Sequence, residues 1–212
     1  MTTRIILCRH GVTALTESGR WDGRGGLNPP LNDTGRAQAA YLAARASALL
    51  SGSGPVRVFS STLERAVQTA APVAAALGVE PCPDPVWDEL AFGEWDGRSG
   101  HELRTAHPDL VERFWHDETF RPPGGESHTD LHARVRPAFQ ALLDAGGTTV
   151  VVSHWGPIMS VFSLLLGLDL GPARRLAFAP ASMSGVSTNR FGPVVEFIND
   201  LGALPASDLA NR

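Results

Sequence analysis

Residues 4–16 read RIILCRHGVTALT, an apolar run that stops abruptly on an arginine, a histidine and a glycine. A short continuous apolar run between polar neighbours is the pattern of a strand covered on both faces, as in the interior of a parallel sheet. Such a strand would hold Arg9 and His10 at its carboxyl end, where open α/β sheets receive their ligands. The same pattern returns twice. VRVF at 56–59 precedes SSTLER, and TTVVVSH at 148–154 ends on Ser153 and His154.

Helical patterns separate these runs. A loop rich in Gly, Asn and Pro covers 18–35, after which Asn32 or Asp33 caps a helix with Ala37, Tyr41, Ala44 and Ala48 at helical spacing. Ser60, Ser61 or Thr62 caps the helix LERAVQTAAPVAAAL, which Pro72 is expected to kink and Gly78 to stop. Ser127 and Asp130 form a capping-box start, and Leu131, Val135, Ala138 and Leu142 carry that helix toward Gly146. Between them, residues from about 81 to 126 hold most of the tryptophans, several prolines and no clean period, the profile of a lid-like insertion. Residues 184–200 read as two strands around a Gly-Pro turn.

Strands alternating with helices predict an α/β fold: a three-layer α/β/α sandwich with a mostly parallel central sheet, an antiparallel edge strand and the small lid. With 212 residues and 43% hydrophobic composition, a single domain over 1–212 is expected. A net charge of −4, with no basic run interleaved with aromatics, argues against a nucleic-acid partner. SVFSLLLGLDL at 160–170 is too short to span a membrane, and the N-terminal apolar run is too short for a signal peptide, so a cytoplasmic location is expected. Cys8 and Cys82 lack the spacing of a disulfide framework or zinc knuckle and read as unpaired thiols.

The topology brings two arginines (Arg9, Arg65), two histidines (His10, His154) and two helix N-termini to one sheet edge. Guanidinium forks and free backbone N–H groups suit a phosphate group. A histidine adds a nucleophilic nitrogen in its neutral form, which points to phosphoryl transfer rather than binding alone. Other chemistries fail on spacing. The arginine that a cysteine-based phosphatase needs after its nucleophile is replaced by Ala14, no Walker loop exists, and HELRTAH at 101–107 is not a zinc helix. His128 and His132, four apart and lacking a third ligand, read as a solvated helix face. No metal or other cofactor is expected.

RHG after the first strand, SSTLERAVQTA (60–70), WDELAFGEWDG (87–97), PPGGES (122–127) and VVSHWGPI (151–158) together resemble the histidine phosphatase superfamily, the phosphoglycerate mutase-like group. The resemblance implies that His10 is the nucleophile that becomes phosphohistidine. It implies that Arg9, Arg65 and His154 hold the phosphoryl oxygens, and that Glu89 protonates the leaving oxygen and then helps activate water. Gly11 would keep the turn after His10 tight. Two positions depart from the family pattern: Thr16 stands where many relatives carry an asparagine, and Trp155 stands where a small residue is usual. Thr16 is the shorter donor to phosphate, and Trp155 would offer its backbone N–H to phosphate while its indole walls the leaving-group pocket.

The family includes both phosphatases and mutases. The mutases carry a longer, basic insertion that grips a substrate carboxylate, whereas this one has only Arg98, Arg104, Arg113 and Arg121 among many acids. PPGGES also resembles the phosphatase branch, which includes α-ribazole, sugar-phosphate and broad-specificity enzymes. The expected partner is a small phosphomonoester. The alternatives are a cofactor-dependent phosphoglycerate mutase and, from another class, an inactive phosphate- or protein-binding module. Trp87, Phe92, Trp95, Phe114, Trp115 and Trp155 are candidates for an apolar cleft, with at least half expected in the core instead. A homodimer through an exposed edge strand or the lid is also in keeping with the sequence.

Overall fold

The structure, a computed structural model, describes residues 3–202; the outermost residues of the expected 1–212 domain lie outside that range. In chain order the elements are β1 (Thr3–Arg9), α1 (Ala14–Glu17), α2 (Asp33–Leu49), β2 (Val56–Ser60), α3 (Glu64–Leu77), β3 (Pro81–Pro83), α4 (Gly100–Ala106), α5 (Pro108–His116), α6 (His128–Ala145), β4 (Gly147–Ser153), α7 (Trp155–Leu166), α8 (Leu170–Ala173), β5 (Met183–Asn189) and β6 (Gly192–Asp200). The strands form one sheet in the order β3-β2-β4-β1-β5-β6. β1, β2, β3 and β4 run parallel, and β5 is antiparallel to both β1 and β6.

The apolar runs form strands because both of their faces are covered. Ile5 and Leu7 pack with Val151 and the apolar faces of α6 and α7, while Ile6 and Cys8 pack with Val58, Val150 and Val152 beneath α2 and α3. Helices on both sides of the sheet make the expected three layers. All four β1 side chains are essentially removed from water, which stabilises by roughly 1.5–3 kcal/mol for each large aliphatic group.

Four local expectations are corrected. First, α2 is capped by Asn32, whose side chain accepts from the Gly35 N–H, but its buried face is Gly35, Gln38, Ala39, Leu42, Ala43 and Ala46. Ala37, Ala44 and Ala48 are exposed. The reason is a close backbone crossing: a Cβ at Gly35 would lie 2.1 Å from the Val12 carbonyl oxygen, and one at Gly11 would lie 2.6 Å from that of Gly35. Gly11 therefore serves this approach rather than a turn. Second, the N-cap position of α3 is Leu63, with no side-chain cap, because Ser61 and Thr62 are both bonded to Asp88. Third, the hairpin turns at Arg190 and Phe191, and Gly192 and Pro193 already belong to β6. Fourth, Pro81–Pro83 pairs with β2 as a sheet edge, so the start of the segment read as a lid belongs to the core sheet.

The capping box of Ser127 and Asp130 is present, and Leu131, Val135 and Leu142 are buried, with Phe139 beside them in place of Ala138. Cys8 is buried and Cys82 exposed, and both are free thiols. Among the described residues no helix is long and apolar enough to cross a membrane.

Candidate active site

Strand register sets the site. Arg9 pairs with Ser153 and Ser60 with Val152, so the ends of β1, β4 and β2 lie side by side. The chain leaves all three together: the His10 N–H donates to Ser153 O (3.0 Å) and the Ser61 N–H to Val152 O (2.9 Å). The rings of His10 and His154 consequently lie 4.9 Å apart between centroids.

The tautomer of His10 follows from its partners. Its Nδ1 lies 2.7 Å from the Gly11 carbonyl oxygen, which can only accept, so Nδ1 carries the proton. Nε2 is then a lone pair, and it accepts from Arg65 Nε at 3.3 Å. Burial, followed by the charges of Arg65 and Arg9, pushes the pKa of His10 well below the ordinary histidine value. The ring is neutral, with the lone pair of Nε2 facing a guanidinium.

Arg65 is itself anchored. Its side chain is 1% exposed and forms an ion pair with the Asp22 carboxylate at 2.8 Å, and its Nη2 donates to the Asp22 carbonyl at 2.8 Å. Arg9 Nη1 donates to Phe178 O at 2.6 Å, while its buried Nε has no partner. Burial lowers the Arg9 pKa to about 10, which leaves it charged at neutral pH. A bound dianion would supply acceptors for donors that are now unused.

His154 is fully buried. Its Nε2 lies 2.7 Å from Ser61 Oγ, and Ser61 in turn donates to the Asp88 carboxylate at 2.8 Å. A hydroxyl that donates to Asp88 must accept from the ring, so Nε2 carries the proton. Nδ1 is left buried without a partner.

Glu89 sits on the N-terminus of α7. Its carboxylate accepts from the Gly156 N–H (3.1 Å to Oε1) and from the Leu90 N–H (2.9 Å). Burial nevertheless raises its pKa above the ordinary carboxylate value, against the pull of those N–H groups, Arg65 and Arg9. A Cβ at position 156 would lie 2.3 Å from Glu89 Oε1, so only glycine leaves room for the carboxylate. Arg134 fixes the approach to Glu89 by donating to the carbonyls of Val86 (2.7 Å) and Asp88 (2.9 Å).

A cavity of about 400 Å³ opens over these groups. Its lining includes Arg9, His10, Thr16, Arg65, Glu89 and Trp155, so six of the seven residues singled out from sequence meet there; His154 lies beside His10 without lining it. Thr16 Oγ1 lies 3.1 Å from Thr13 Oγ1, and Thr13 caps α1. Trp155 begins α7 and donates its indole N–H to Leu176 O at 3.0 Å. Of the aromatic candidates, Phe92, Phe114, Trp115 and Trp155 line the cavity, whereas Trp87 and Trp95 are core.

The solvated-face reading of His128 and His132 is overturned. His128 is 1% exposed, lies against the Phe114 ring (4.7 Å) and lines the cavity, with Nδ1 unpartnered. Burial and the charge of Arg174 lower its pKa to about 3. His132 is half-buried, with Nδ1 2.8 Å from Ser160 Oγ. Asp22, Trp21, Arg20 and the Ser61–Asp88 support of His154 were not singled out from sequence. Asp22 and Trp21 lie in an irregular loop where no period marks a buried side. Among the described residues no group of three or more His, Cys, Asp or Glu side chains is placed to hold a metal ion.

A neutral buried imidazole, two guanidiniums, a second buried histidine and a buried carboxyl with a raised pKa thus meet at one sheet edge. The chain belongs to the histidine phosphatase superfamily, branch 1, whose family model matches residues 5–201. It is similar to the bifunctional protein Rv2228c of Mycobacterium tuberculosis, 39% identical over 188 residues that cover 86% of this chain and 49% of that protein. The chain thus spans about half the length of the curated relatives it first matches. It is also 31% identical over 219 residues to the probable phosphoglycerate mutase GpmB of Yersinia pestis, covering 99% of each. Among solved structures, the native mycobacterial glucosyl-3-phosphoglycerate phosphatase Rv2419c has a TM-score of 0.81 at 25% identity, covering 94% of this chain and 99% of that one.

Proposed function

We propose that the protein is a cytoplasmic, metal-independent phosphatase that hydrolyses a small phosphomonoester through a phosphohistidine. The observation that carries this reading is the neutral His10 ring, with Nδ1 committed to Gly11 O and Nε2 held as a lone pair opposite Arg65. In the first step Nε2 attacks phosphorus and the bond to the alcohol oxygen breaks, while Glu89 delivers its proton to that oxygen. In the second, Glu89 takes a proton from water, the water oxygen attacks phosphorus, and the N–P bond breaks to release orthophosphate and the neutral imidazole. Charge on the equatorial oxygens is met by the guanidiniums of Arg9 and Arg65, with His154 held beside His10 by Ser61. The raised pKa of Glu89 suits a group that must be protonated first and basic afterwards.

Residues 84–126 are the proposed lid. Their arginines favour hydrolysis over the mutase alternative. Arg98 faces Glu102, Arg113 faces Asp117, Arg121 faces Asp130, and none of these or Arg104 lines the cavity. The test is p-nitrophenyl phosphate turnover in EDTA with rapid-quench phosphate labelling. His10→Ala is expected to lower turnover by about 10³-fold or more and to abolish labelling. Equal turnover by the two proteins would remove the reading, and interconversion of 2- and 3-phosphoglycerate stimulated by the bisphosphate would favour the mutase.

A further inference from the structure

Once Arg9 and Arg65 are assigned to phosphate, the rest of the cavity wall must receive the alcohol. Arg20 is the remaining cation among the lining residues, and it is already committed: its Nη1 donates to Gly97 O (2.7 Å), and its two Nη groups meet the Glu102 carboxylate at 3.0 and 3.1 Å. The wall instead carries an acid, Asp22, whose side chain is 6% exposed. Trp21, Phe92, Phe114 and Trp115 line the same cavity, with the Trp21 centroid 5.1 and 5.2 Å from those of Phe92 and Phe114. Aromatic faces present the negative lobe of a quadrupole, which repels anions and attracts cations. His128, also in the wall and packed against the Phe114 ring, is held neutral by burial and by the charge of Arg174, so it adds no cation.

An alcohol bearing a carboxylate or a second phosphate would shed its water on entering this space and find no uncommitted cation. Desolvation without a partner is costly, and a neighbouring carboxylate adds repulsion. We propose that the enzyme accepts phosphomonoesters whose alcohol is aromatic or apolar and carries no negative charge, with Asp22 and the Arg20–Glu102 pair as the elements that reject anionic alcohols. This rests on the phosphatase reading and deepens it, because rejection of a charged ligand is a device of specificity separate from attraction of the right one.

The experiment compares phenyl phosphate, 4-carboxyphenyl phosphate and O-phosphotyramine as neutral, anionic and cationic probes of one shape. For the wild-type protein, kcat/KM is expected to fall roughly tenfold or more from either of the first-ranked neutral and cationic esters to the anionic one. Asp22→Asn should narrow that ratio, whatever it does to the absolute rate through Arg65. Glu102→Gln should narrow it too, by releasing Arg20 while glutamine keeps the capping box of α4 with Ser99. Equal kcat/KM for the three esters, or a ratio that neither substitution moves, overturns the proposal. If none of the esters turns over and no phosphohistidine forms, the phosphatase reading fails, and the specificity claim is decided separately by calorimetric binding of the same three esters to His10→Ala protein. There the charge order supports it and its absence overturns it.

Discussion

The two ends of the cavity are built by different means. The end proposed to hold the phosphate hangs on strand termini: β1, β2 and β4 are locked in register, and a shift of one residue would turn His10 or His154 to the other face. The opposite end is made of side chains from the irregular loop before α2 and from the segment of α4 and α5, held by aromatic packing such as Trp21 against Phe114 at 5.2 Å. A reaction needs fixed distances, and hydrogen-bonded strands supply them. A choice of substrate needs only shape and charge, which loops can vary without disturbing the chemistry. Substitutions at the strand ends should therefore depress all substrates alike, and substitutions in the aromatic wall should re-rank them.

The sharpest attempt to break this division is Arg65→Lys. Arg65 at once faces His10 Nε2 and pairs with Asp22, a geometry that needs a planar fork and that a single ammonium cannot reproduce. We expect kcat/KM to fall by about 10²- to 10³-fold, equally for phenyl phosphate and for an alkyl phosphate. A loss confined to one ester would mean that Arg65 serves the alcohol rather than the phosphoryl group.

Glu89→Gln should have a smaller and more selective effect. It removes the proton donor while keeping acceptors for the Gly156 and Leu90 N–H groups. An alkyl phosphate, whose alkoxide is a poor leaving group, should lose about 10²-fold in kcat. p-Nitrophenyl phosphate should lose much less, because its phenolate leaves without help. A uniform loss across leaving groups would show that Glu89 only positions the phosphate.

The same division explains what was legible beforehand. The strand ends could be read because continuous apolar runs leave little choice of element, and the residues that follow them must gather at one edge. Within WDELAFGEWDG, spacing alone does not distinguish Glu89 from Asp88, Glu94 or Asp96; the family resemblance singles it out, and its place against Gly156 supplies the physical reason. The face of α2 was misread because alanines recur on every side of that helix. Burial there was decided by the crossing of Gly11 and Gly35, which a hydrophobic count does not register. His128 was misread for a related reason: its own helix offers a polar face, but Phe114 from α5 covers it. Asp22 was invisible because its counter-ion, Arg65, is far away in sequence.

His128 also gives the smallest effect and a test of stability. Its pKa is lowered from the ordinary 6.5 to about 3, chiefly by burial, so the folded state holds the neutral ring while the unfolded chain takes up a proton as the pH falls below 6.5. The unfolded state then binds more protons, and the ring's contribution to stability, fully present above 6.5, is lost as the pH drops toward 3, at about 1.4 kcal/mol per unit. His128→Phe removes that proton uptake and fills the space beside Phe114 with an apolar ring. His10 and His154 are likewise held neutral, but both remain in the variant and cancel in the comparison. Urea unfolding should show the variant gaining about 2 kcal/mol over wild type at roughly pH 5 relative to roughly pH 7. An equal difference at the two pH values would mean that the ring is not held neutral in the cavity wall, and the proposal that the alcohol end offers no uncommitted cation would lose one of its supports.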